Sequence, residues 1–381
     1  GGKGNQISAS LNAFLGGGQN NTLSTSSLST IVGGQDNNII ESDESIIAGG
    51  ERHTIIKSNN ATIAGGLFNS ISQSYDSSIV GGHGNEIKTV DAGTGNGQFL
   101  GGGLSNKIEG GSVFAGQNLN SIVGGYSNKI SGSQYSSVGG GFENRIGYSL
   151  NNANFAHEVH SIDRGYSVIG GGRSNELNNT FDYVVIAGGF NNHIEDVKGA
   201  TIAGGEDNQI LGTILAFSPT NYDTAYDNIG GGYKNTIITG SYSSIGGGLG
   251  NTIKDSEHSA ILGGRYNLIP EDIDDIFIIG SYITASAANT TYVENLVLRR
   301  TTTDDIDAVD GNFTMATGSI FYGSNIEFSG NINGSPTSTG SFGKLIVGGV
   351  EIDNANFDDG TAELISGSST STGSFGAGYI D

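Results

Sequence analysis

The stretch IVGGHGNEI, residues 79–87, carries the pattern that decides the fold of most of the chain. It reads apolar-x-Gly-Gly-x-x-Asn-x-apolar, and the second glycine of each copy lies at residues 2, 18, 34, 50, 66, 82, 103, 125, 141, 172, 189, 205, 232, 248 and 264. Of the fourteen intervals between these fifteen positions, nine are sixteen residues long and one is seventeen. Self-similarity at a fixed short period predicts a solenoid.

Two apolar columns define the strands of the predicted coil. The residue two before the first glycine is always Ile, Leu or Val, and so is the residue five after the second glycine. β-Branched residues in short segments favour strands, and no segment keeps a helical i, i+3, i+4 pattern. We therefore predict an all-β fold, a parallel β-solenoid (β-roll) of about sixteen 16-residue coils over residues 1–283, with a degenerate last copy near 277–283.

The glycine and asparagine columns have physical reasons of their own. Glycine supplies a positive φ, or lets another backbone approach closely, at a fixed corner of each coil. Asn follows the second glycine by three residues in fourteen of the fifteen copies, and His53 is the exception. Asn tolerates the left-handed conformation and bonds its own turn, but stacked Asn side chains also form ladders along a rod. Both roles are open at this point.

Composition narrows the classes of function. The chain has 381 residues, 66 Gly, 3 Pro, no Cys and a formal net charge of −22. Without Cys there is no disulfide and no thiolate metal site, and the negative charge argues against binding nucleic acid. No stretch has the length of a transmembrane helix and no signal peptide is recognised, so we expect no membrane insertion. Because the chain opens inside a repeat, we expect it to be part of a longer polypeptide.

The predicted coil is thin, and this suggests assembly. Two inward apolar residues per coil give a core only one or two side chains thick. We expect several chains to assemble and bury a shared apolar face.

Four long intervals mark insertions near residues 88–98, 109–120, 147–167 and 211–228. A solenoid accepts such segments as loops on one face. The two residues after each glycine doublet also vary freely. Variable side chains at a fixed position could bind a partner, but a solvent-exposed edge under no sequence constraint also explains them. Aromatic and histidine side chains in and beside the insertions are the candidate receptor-contact residues: Tyr148, Phe155, His157, His160, Phe217, Tyr222 and Tyr226.

The composition changes after residue 283. Residues 290–298 are predicted to be a strand that leaves the solenoid, and residues 284–381 to be a Gly/Ser/Thr-rich β shaft or connector. The sequence STGSFG at 338–343 recurs at 371–376, and residues 344–352 indicate a short strand pair. We expect this region to form intertwined strands in an oligomeric shaft.

Runs such as SSIVGG at 77–82 and SSIGGG at 243–248 resemble the head repeats of YadA-like trimeric adhesins over about residues 1–283. The resemblance implies a left-handed parallel β-roll of three chains, a homotrimer. The chain departs from those heads in its glycine doublet and its Asn-x-Ile, where they more often carry Ala/Ser-rich turns. Handedness and trimer state are therefore implied by the resemblance alone.

The C-terminal segment is similar to parts of tail-fibre and appendage proteins of marine bacteriophages. The STGSFG repeats and the stretch NTTYV at 289–293, followed by Asn295 and Leu296, carry this resemblance. It implies a structural fibre segment of a phage tail or virion appendage, extracellular, in contact with other virion or tail proteins and with a host-surface glycan or protein. The alternatives are the head of a bacterial trimeric adhesin at the cell surface, and a polysaccharide-degrading tailspike.

A few residues could in principle serve in catalysis or in metal binding. A tailspike hydrolase needs paired carboxylates, for which Glu158, Asp163 and Asp223 are the candidates. His157 with His160, and the acidic runs 271–275 and 304–307, could bind a metal, but solvated side chains explain them more simply. The sixteen-residue period does not fit calcium-binding nonapeptide repeats, and Thr30, Thr62 and Thr201 are too sporadic for an ice-binding face. We expect no enzymatic activity and no cofactor.

Overall fold

The computed structural model describes residues 1–89, 97–110, 119–133, 135–147, 166–178, 183–212 and 226–294, and the backbone of 345–347 and 350–352. The chain divides into two units, Gly1–Arg299 and Arg300–Asp381. The described part of the first unit is an all-β parallel solenoid of about fifteen coils, which confirms the predicted fold class. No helix long and apolar enough to cross a membrane occurs in the described ranges.

Each coil contributes one short strand to each of two parallel sheets, and successive coils pair in register. The first sheet contains β1 (Gln6–Ser8), β3 (Thr22–Ser24), β5 (Asn38–Ile40), β7 (Thr54–Ile56), β9 (Ser70–Ser72), β11 (Glu86–Thr89), β13 (Lys107–Gly110), β15 (Lys129–Ser131), β17 (Arg145–Gly147), β19 (Glu176–Asn178), β21 (His193–Glu195), β23 (Gln209–Leu211), β25 (Thr236–Ile238), β27 (Thr252–Lys254) and β29 (Leu268–Ile269).

The second sheet has one strand more. It contains β2 (Phe14–Leu15), β4 (Thr30–Ile31), β6 (Ile46–Ile47), β8 (Thr62–Ile63), β10 (Ser78–Ile79), β12 (Phe99–Leu100), β14 (Ser121–Ile122), β16 (Ser137–Val138), β18 (Val168–Ile169), β20 (Val185–Ile186), β22 (Thr201–Ile202), β24 (Asn228–Ile229), β26 (Ser244–Ile245), β28 (Ala260–Ile261), β30 (Phe277–Ile279) and β31 (Thr291–Val293).

The two apolar columns form the core between the sheets, as predicted. Ile39 and Ile47, one on each sheet of the same coil, are completely buried, and their counterparts in nearly every other coil are as well. Stacking of the coils within one chain therefore covers both columns, and their burial does not require a second chain. The expected trimer has to rest on another feature of the molecule.

The asparagine column acts both as a turn and as a ladder. The Nδ2 amide of Asn128 donates to the carbonyl of Gly124 in its own coil, at 2.9 Å, and to the carbonyl of Gly141 in the next, at 3.1 Å. Its Oδ1 accepts the backbone N–H of Asn144 at 3.0 Å. A completely buried polar side chain needs such partners. The asparagines thus bond their own turn and also form a ladder. None of them is left-handed, however: the residue before each adopts that conformation instead, as Ser127 does with a φ of +52°.

Serine ladders line the corner opposite the asparagine column. The hydroxyl of Ser26 accepts the backbone N–H of Ser42 at 3.0 Å, and the hydroxyl of Ser29 accepts that of Ser45 at 3.1 Å. Ser42 in turn donates its hydroxyl to the carbonyl of Ile40 at 2.8 Å. These side chains satisfy backbone groups where the turn has no strand partner.

The two glycines of the doublet have different surroundings. At Gly205, φ is +88°, and a Cβ would collide with the carbonyl oxygen of Gly232 and the Nδ2 of Asn208. At Gly204, which has no positive φ, a Cβ would have no neighbour within 4 Å. In this coil the predicted roles of glycine, left-handed backbone and close approach, therefore belong to the second glycine. The first glycine has a positive φ in four other coils, at Gly102, Gly140, Gly231 and Gly247.

Two edges join the sheets. The doublet edge is the turn that carries the glycine doublet and leads from the second sheet into the first. The insertion edge is the turn that leads from the first sheet into the second, and all five longer stretches outside the described residues fall there, at 90–96, 111–118, 148–165, 179–182 and 213–225. Register is kept across them: β11 pairs with β13 and β17 pairs with β19 in parallel.

The end of the solenoid differs from the predicted boundary at residue 283. Thr291–Val293, part of the stretch expected to leave the solenoid, pairs in parallel with Phe277–Ile279 and extends the second sheet. In the second unit, β32 (Leu345–Val347) and β33 (Val350–Ile352) form an antiparallel pair, which confirms the strand pair predicted over 344–352.

Candidate functional site

Of the seven candidate receptor-contact residues, Tyr226 lies among the described residues. Tyr148, Phe155, His157, His160, Phe217 and Tyr222 lie outside them, as do the hydrolase candidates Glu158, Asp163 and Asp223 and the second acidic run, 304–307. The site can therefore be built from the residues that flank the insertions, starting with Tyr226.

Tyr226 lies on the insertion edge, where the chain enters β24. Its φ is +65° and its backbone N–H donates to the carbonyl of Lys198 at 2.9 Å, which fixes the turn against the preceding coil. The side chain is 50 % exposed and lies over Gly199, where a Cβ would be 2.6 Å from the Tyr226 ring. On its other side the ring stacks on Tyr242, with 5.4 Å between centroids.

Tyr226 belongs to a column of aromatic side chains that runs along this edge. We call this set the aromatic column; it consists of Tyr135, Tyr166, Tyr183, Tyr226, Tyr242 and His258. Tyr135, Tyr166 and Tyr183 stack with centroid distances of 5.2 and 5.4 Å, and Tyr242 stacks on His258 at 5.5 Å. Gly199 interrupts the column between its two groups of three. Near-parallel rings at this spacing cover one another's faces, so the ring edges and polar groups face solvent.

The backbone of the aromatic column is unfavourable for these residue types. All six have positive φ, from 51° at Tyr135 to 65° at Tyr226. The left-handed conformation costs a bulky residue about 1–2 kcal/mol and suits Gly, Asn or Asp. Other coils do carry such residues at this position, including Asn12, Asn60 and Asp76. Local backbone preference therefore does not explain the tyrosines, and such departures are typical of functional surfaces.

A buried carboxyl group lies directly behind the aromatic column. Asp227 is 2 % exposed and occupies a position that serine or asparagine fills in other coils, such as Asn120 and Ser243. Burial raises the pKa of Asp227 to about 7, although the backbone N–H of Ser243 donates to its Oδ1 at 2.9 Å and lowers the pKa in part. The group therefore titrates near neutral pH.

Charged side chains gather on the first sheet beside one insertion. Lys107 contacts Glu86 at 3.0 Å and Glu109 at 2.7 Å, and Lys129 contacts Glu109 at 2.6 Å. Burial raises the pKa of Glu109, but hydrogen bonds and the charges of both lysines outweigh this and lower the pKa to about 2. This cluster is an ionic network on a sheet surface, and each of its groups is balanced by a neighbour.

The doublet edge carries a second set of stacked side chains at the variable pair of positions. Tyr126 stacks on Phe142 at 4.9 Å, and the guanidinium of Arg173 lies 5.2 Å from the Phe142 ring and 5.4 Å from the Phe190 ring. Cation–π contacts of this kind stabilise exposed rings by about 0.5–1 kcal/mol. Further along, the ring centroids of Tyr266 and Tyr282 lie 5.6 Å apart, with the ring planes tilted by 31°.

The described residues offer no arrangement for metal binding. Among them, no group of three or more His, Cys, Asp or Glu side chains is placed to hold a metal ion. In the acidic run 271–275, Asp274 accepts the backbone N–H of Glu257 at 2.8 Å through its Oδ1. In this run the carboxylate of Asp274 thus stabilises the turn by accepting a backbone hydrogen bond.

Two comparisons with known proteins found no match. Neither the family models nor the curated proteins contain a match to the chain. The functional argument therefore rests on the solenoid and its surfaces.

Sequence reasoning found Tyr226 but missed the rest of the aromatic column. Its members stand three residues before the buried apolar residue of the second sheet, as Tyr166 does before Ile169 and Tyr242 before Ile245. Alignment of the coils on that buried position would have shown five tyrosines in one column. The signal was partly hidden because longer turns shift Tyr166, Tyr183 and Tyr226 away from the regular distance to the preceding glycine doublet, which Tyr135 and Tyr242 keep.

Proposed function

We propose that the chain is a structural segment of an extracellular fibre that presents its insertion edge to a host surface. The observation that carries this proposal is the aromatic column. Its rings are exposed, their backbone conformation is unfavourable for these residue types, and they lie on the edge that carries the insertions. Aromatic rings with polar tips are typical of sites that bind glycans and proteins.

The regular core supports the structural part of the proposal. Buried isoleucines pack between the sheets, and the asparagine and serine ladders at the two edges are hydrogen-bonded to the backbone of neighbouring coils. Such a scaffold holds the edges at fixed spacing and leaves variable side chains at the surface.

The setting we favour is a bacteriophage tail fibre or another virion appendage, on the resemblance of the C-terminal segment to such proteins. A bacterial surface adhesin head is the alternative, on the resemblance of the repeats in residues 1–283. Immunogold electron microscopy with an antibody to the chain separates these settings. Label on virions supports the first, and label on the bacterial envelope supports the second.

The role of the insertion edge is tested by binding of the purified, fluorescently labelled chain to intact marine bacteria and to an array of bacterial surface polysaccharides. The Tyr166→Asn/Tyr183→Asn variant should bind about tenfold more weakly or worse, a loss of about 1.4 kcal/mol or more. Asn suits the left-handed backbone, so the fold is kept.

A matched control exists on the other edge. Tyr266 and Tyr282 are also neighbouring rings in contact and also have positive φ, of 53° and 60°. The Tyr266→Asn/Tyr282→Asn variant should bind as the parent chain does. Unchanged binding of the first variant, or equal loss in both, would remove the insertion edge from the proposal.

The polysaccharide-degrading tailspike is tested with the same polysaccharides. Release of reducing ends by the purified chain, lost when Glu158→Gln and Asp163→Asn are introduced, would replace the structural proposal by a hydrolase.

A further inference from the structure

The outer surface of the second sheet carries no charge over its first fifteen strands, and Glu294 follows the sixteenth, Thr291–Val293. The surface is formed by fifteen four-residue segments: 14–17, 30–33, 46–49, 62–65, 78–81, 99–102, 121–124, 137–140, 168–171, 185–188, 201–204, 228–231, 244–247, 260–263 and 277–280. None of these sixty residues is Asp, Glu, Lys, Arg or His. We call the outward side of these segments the second-sheet face.

The first sheet has the opposite character. Its outward positions include Glu86, Lys107, Arg145, Glu176 and His193. The chain has 54 charged side chains, 16 basic and 38 acidic, so their absence from one long face is a property of that face. Protein surfaces that lack charge are typical of the buried centre of interfaces.

Apolar side chains of the second-sheet face are exposed. Phe14, Val32, Val80, Val123 and Leu262 are each exposed by 52 to 59 %. Between Val123 and Leu262 the same position is Gly or Ala in six successive coils, such as Gly170 and Ala203, which leaves a surface of low relief. An exposed strip along fifteen coils that carries such apolar side chains is typical of an interaction site.

The first glycine of the doublet gives an independent indication that this face is covered. In ten coils it has no positive φ, and a Cβ would have no neighbour closer than 3.6 Å; these are Gly17, Gly33, Gly49, Gly65, Gly81, Gly124, Gly171, Gly188, Gly204 and Gly263. Nothing within the chain therefore requires glycine at these positions. A surface that approaches from outside does require it, because a side chain there would stand between the two surfaces.

We propose that the second-sheet face packs against the second-sheet face of another copy of this chain. A partner must itself be uncharged and flat along fifteen successive coils, and its layers must have the same spacing as these coils. A second copy of the solenoid has this spacing. A net charge of −22 would drive copies apart if it were spread evenly, and its absence from this face lets two copies approach there.

The area of the face is sufficient for a stable complex. Coils about 4.8 Å apart and three outward residues of about 3.3 Å each give a strip of roughly 700 Å². Two such strips bury roughly 1,400 Å² in total, within the range of about 1,200–2,000 Å² found in stable complexes. The inference does not depend on the proposed function.

The experiment is a mass measurement of the full chain by analytical ultracentrifugation at micromolar concentration. We expect the parent chain to be an oligomer and the Thr62→Glu/Thr201→Glu variant, on the second-sheet face, to be a monomer. The matched control is Thr54→Glu/Thr236→Glu on the first sheet, where the two threonines are also half-buried and have uncharged neighbours across the sheet. This control should keep the mass of the parent oligomer.

A second measurement covers the case in which the charged variant fails to fold. Because the chain has no Cys, a nitroxide spin label on Thr201→Cys or on Thr236→Cys reports a single site. Dipolar coupling between copies should be strong for the first label and weaker for the second. A monomeric parent chain, equal dissociation by both charged pairs, or stronger coupling from Thr236→Cys would overturn the proposal. None of these outcomes bears on receptor binding by the insertion edge.

Discussion

The backbone N–H of Asn37 donates a hydrogen bond of 3.0 Å to Oδ1 of Asn21, its counterpart one coil earlier. The Nδ2 of Asn37 meanwhile donates to the carbonyls of Gly33 and Gly50, at 3.1 and 3.0 Å. Its Oδ1 accepts the backbone N–H of His53 at 2.9 Å, so the side chain joins its own coil to the next, and removing it leaves the buried partner groups without these bonds. This relationship leads to the first of four predictions.

Replacement of Asn37 by alanine should lower the free energy of unfolding by about 2–4 kcal/mol, since a buried unsatisfied group costs about 1–3 kcal/mol. Asn38→Ala, one residue along and directed outward on the first sheet, should change it by less than about 0.5 kcal/mol. Urea denaturation followed by circular dichroism measures both. Similar values for the two variants would mean that the ladder contributes little.

His53 replaces asparagine in the ladder, and His53→Asn should stabilise the fold. The Nδ1 of His53 accepts the backbone N–H of Asn69 at 3.1 Å, and burial lowers the pKa of the imidazole. A lowered pKa means that the unfolded chain binds more protons than the folded chain, so stability is lost as the pH falls below about 6.5. The gain from His53→Asn should therefore be larger at about pH 5 than at about pH 8, as unfolding at the two pH values will show.

Asp227→Asn should have the opposite dependence on pH. The pKa of Asp227 is raised from 3.8 to about 7, so the folded chain binds more protons between these values and loses stability as the pH rises through them. The variant should be more stable than the parent chain at neutral pH and equal to it near pH 4. Asn120 shows that an amide fits this column, because it donates to the carbonyl of Ser133 and accepts the N–H of Ser136. A gain that does not change with pH would contradict the assignment.

Two adjacent glycines should differ sharply on replacement by alanine. Gly205→Ala introduces a left-handed alanine that collides with the next coil, and should cost about 2–5 kcal/mol. Gly204→Ala has open space and no positive φ, and should leave the unfolding free energy of the monomer within about 0.5 kcal/mol. Thermal unfolding in the monomeric Thr62→Glu/Thr201→Glu background separates this effect from association. Equal destabilisation by both replacements would contradict the distinction.

The periodic part of the sequence predicted the periodic part of the fold. Columns such as Ile39 and Ile47 repeat every sixteen residues, and each has one function in every coil. The double role of asparagine could not be decided from sequence, because turn bonds and ladder bonds use the same side chain. The serine ladders were missed, since Ser42 and Ser45 also look like ordinary turn residues until the coils are stacked.

The candidate site was harder to predict for a geometric reason. Tyr166 and Tyr242 are far apart in sequence, and only the register of the second sheet brings their column together. Tyr also disfavours the left-handed conformation, so residue preference gave no reason to place it at that turn. The meaning of the first glycine was hidden as well, because the two glycines of a doublet differ only in backbone conformation and surroundings, which the sequence does not show.

Insertions of different lengths leave the pairing of the coils unchanged. Glu86 pairs with Lys107 and Arg145 pairs with Glu176, across 21 and 31 residues, in the same register as Thr54 with Ser70, across sixteen. Segments at the insertion edge can consequently be lengthened, shortened or exchanged between coils while the scaffold folds as before. This architecture separates evolvability from stability: new specificities can be acquired by recombination at one edge, without compensating mutations in the core.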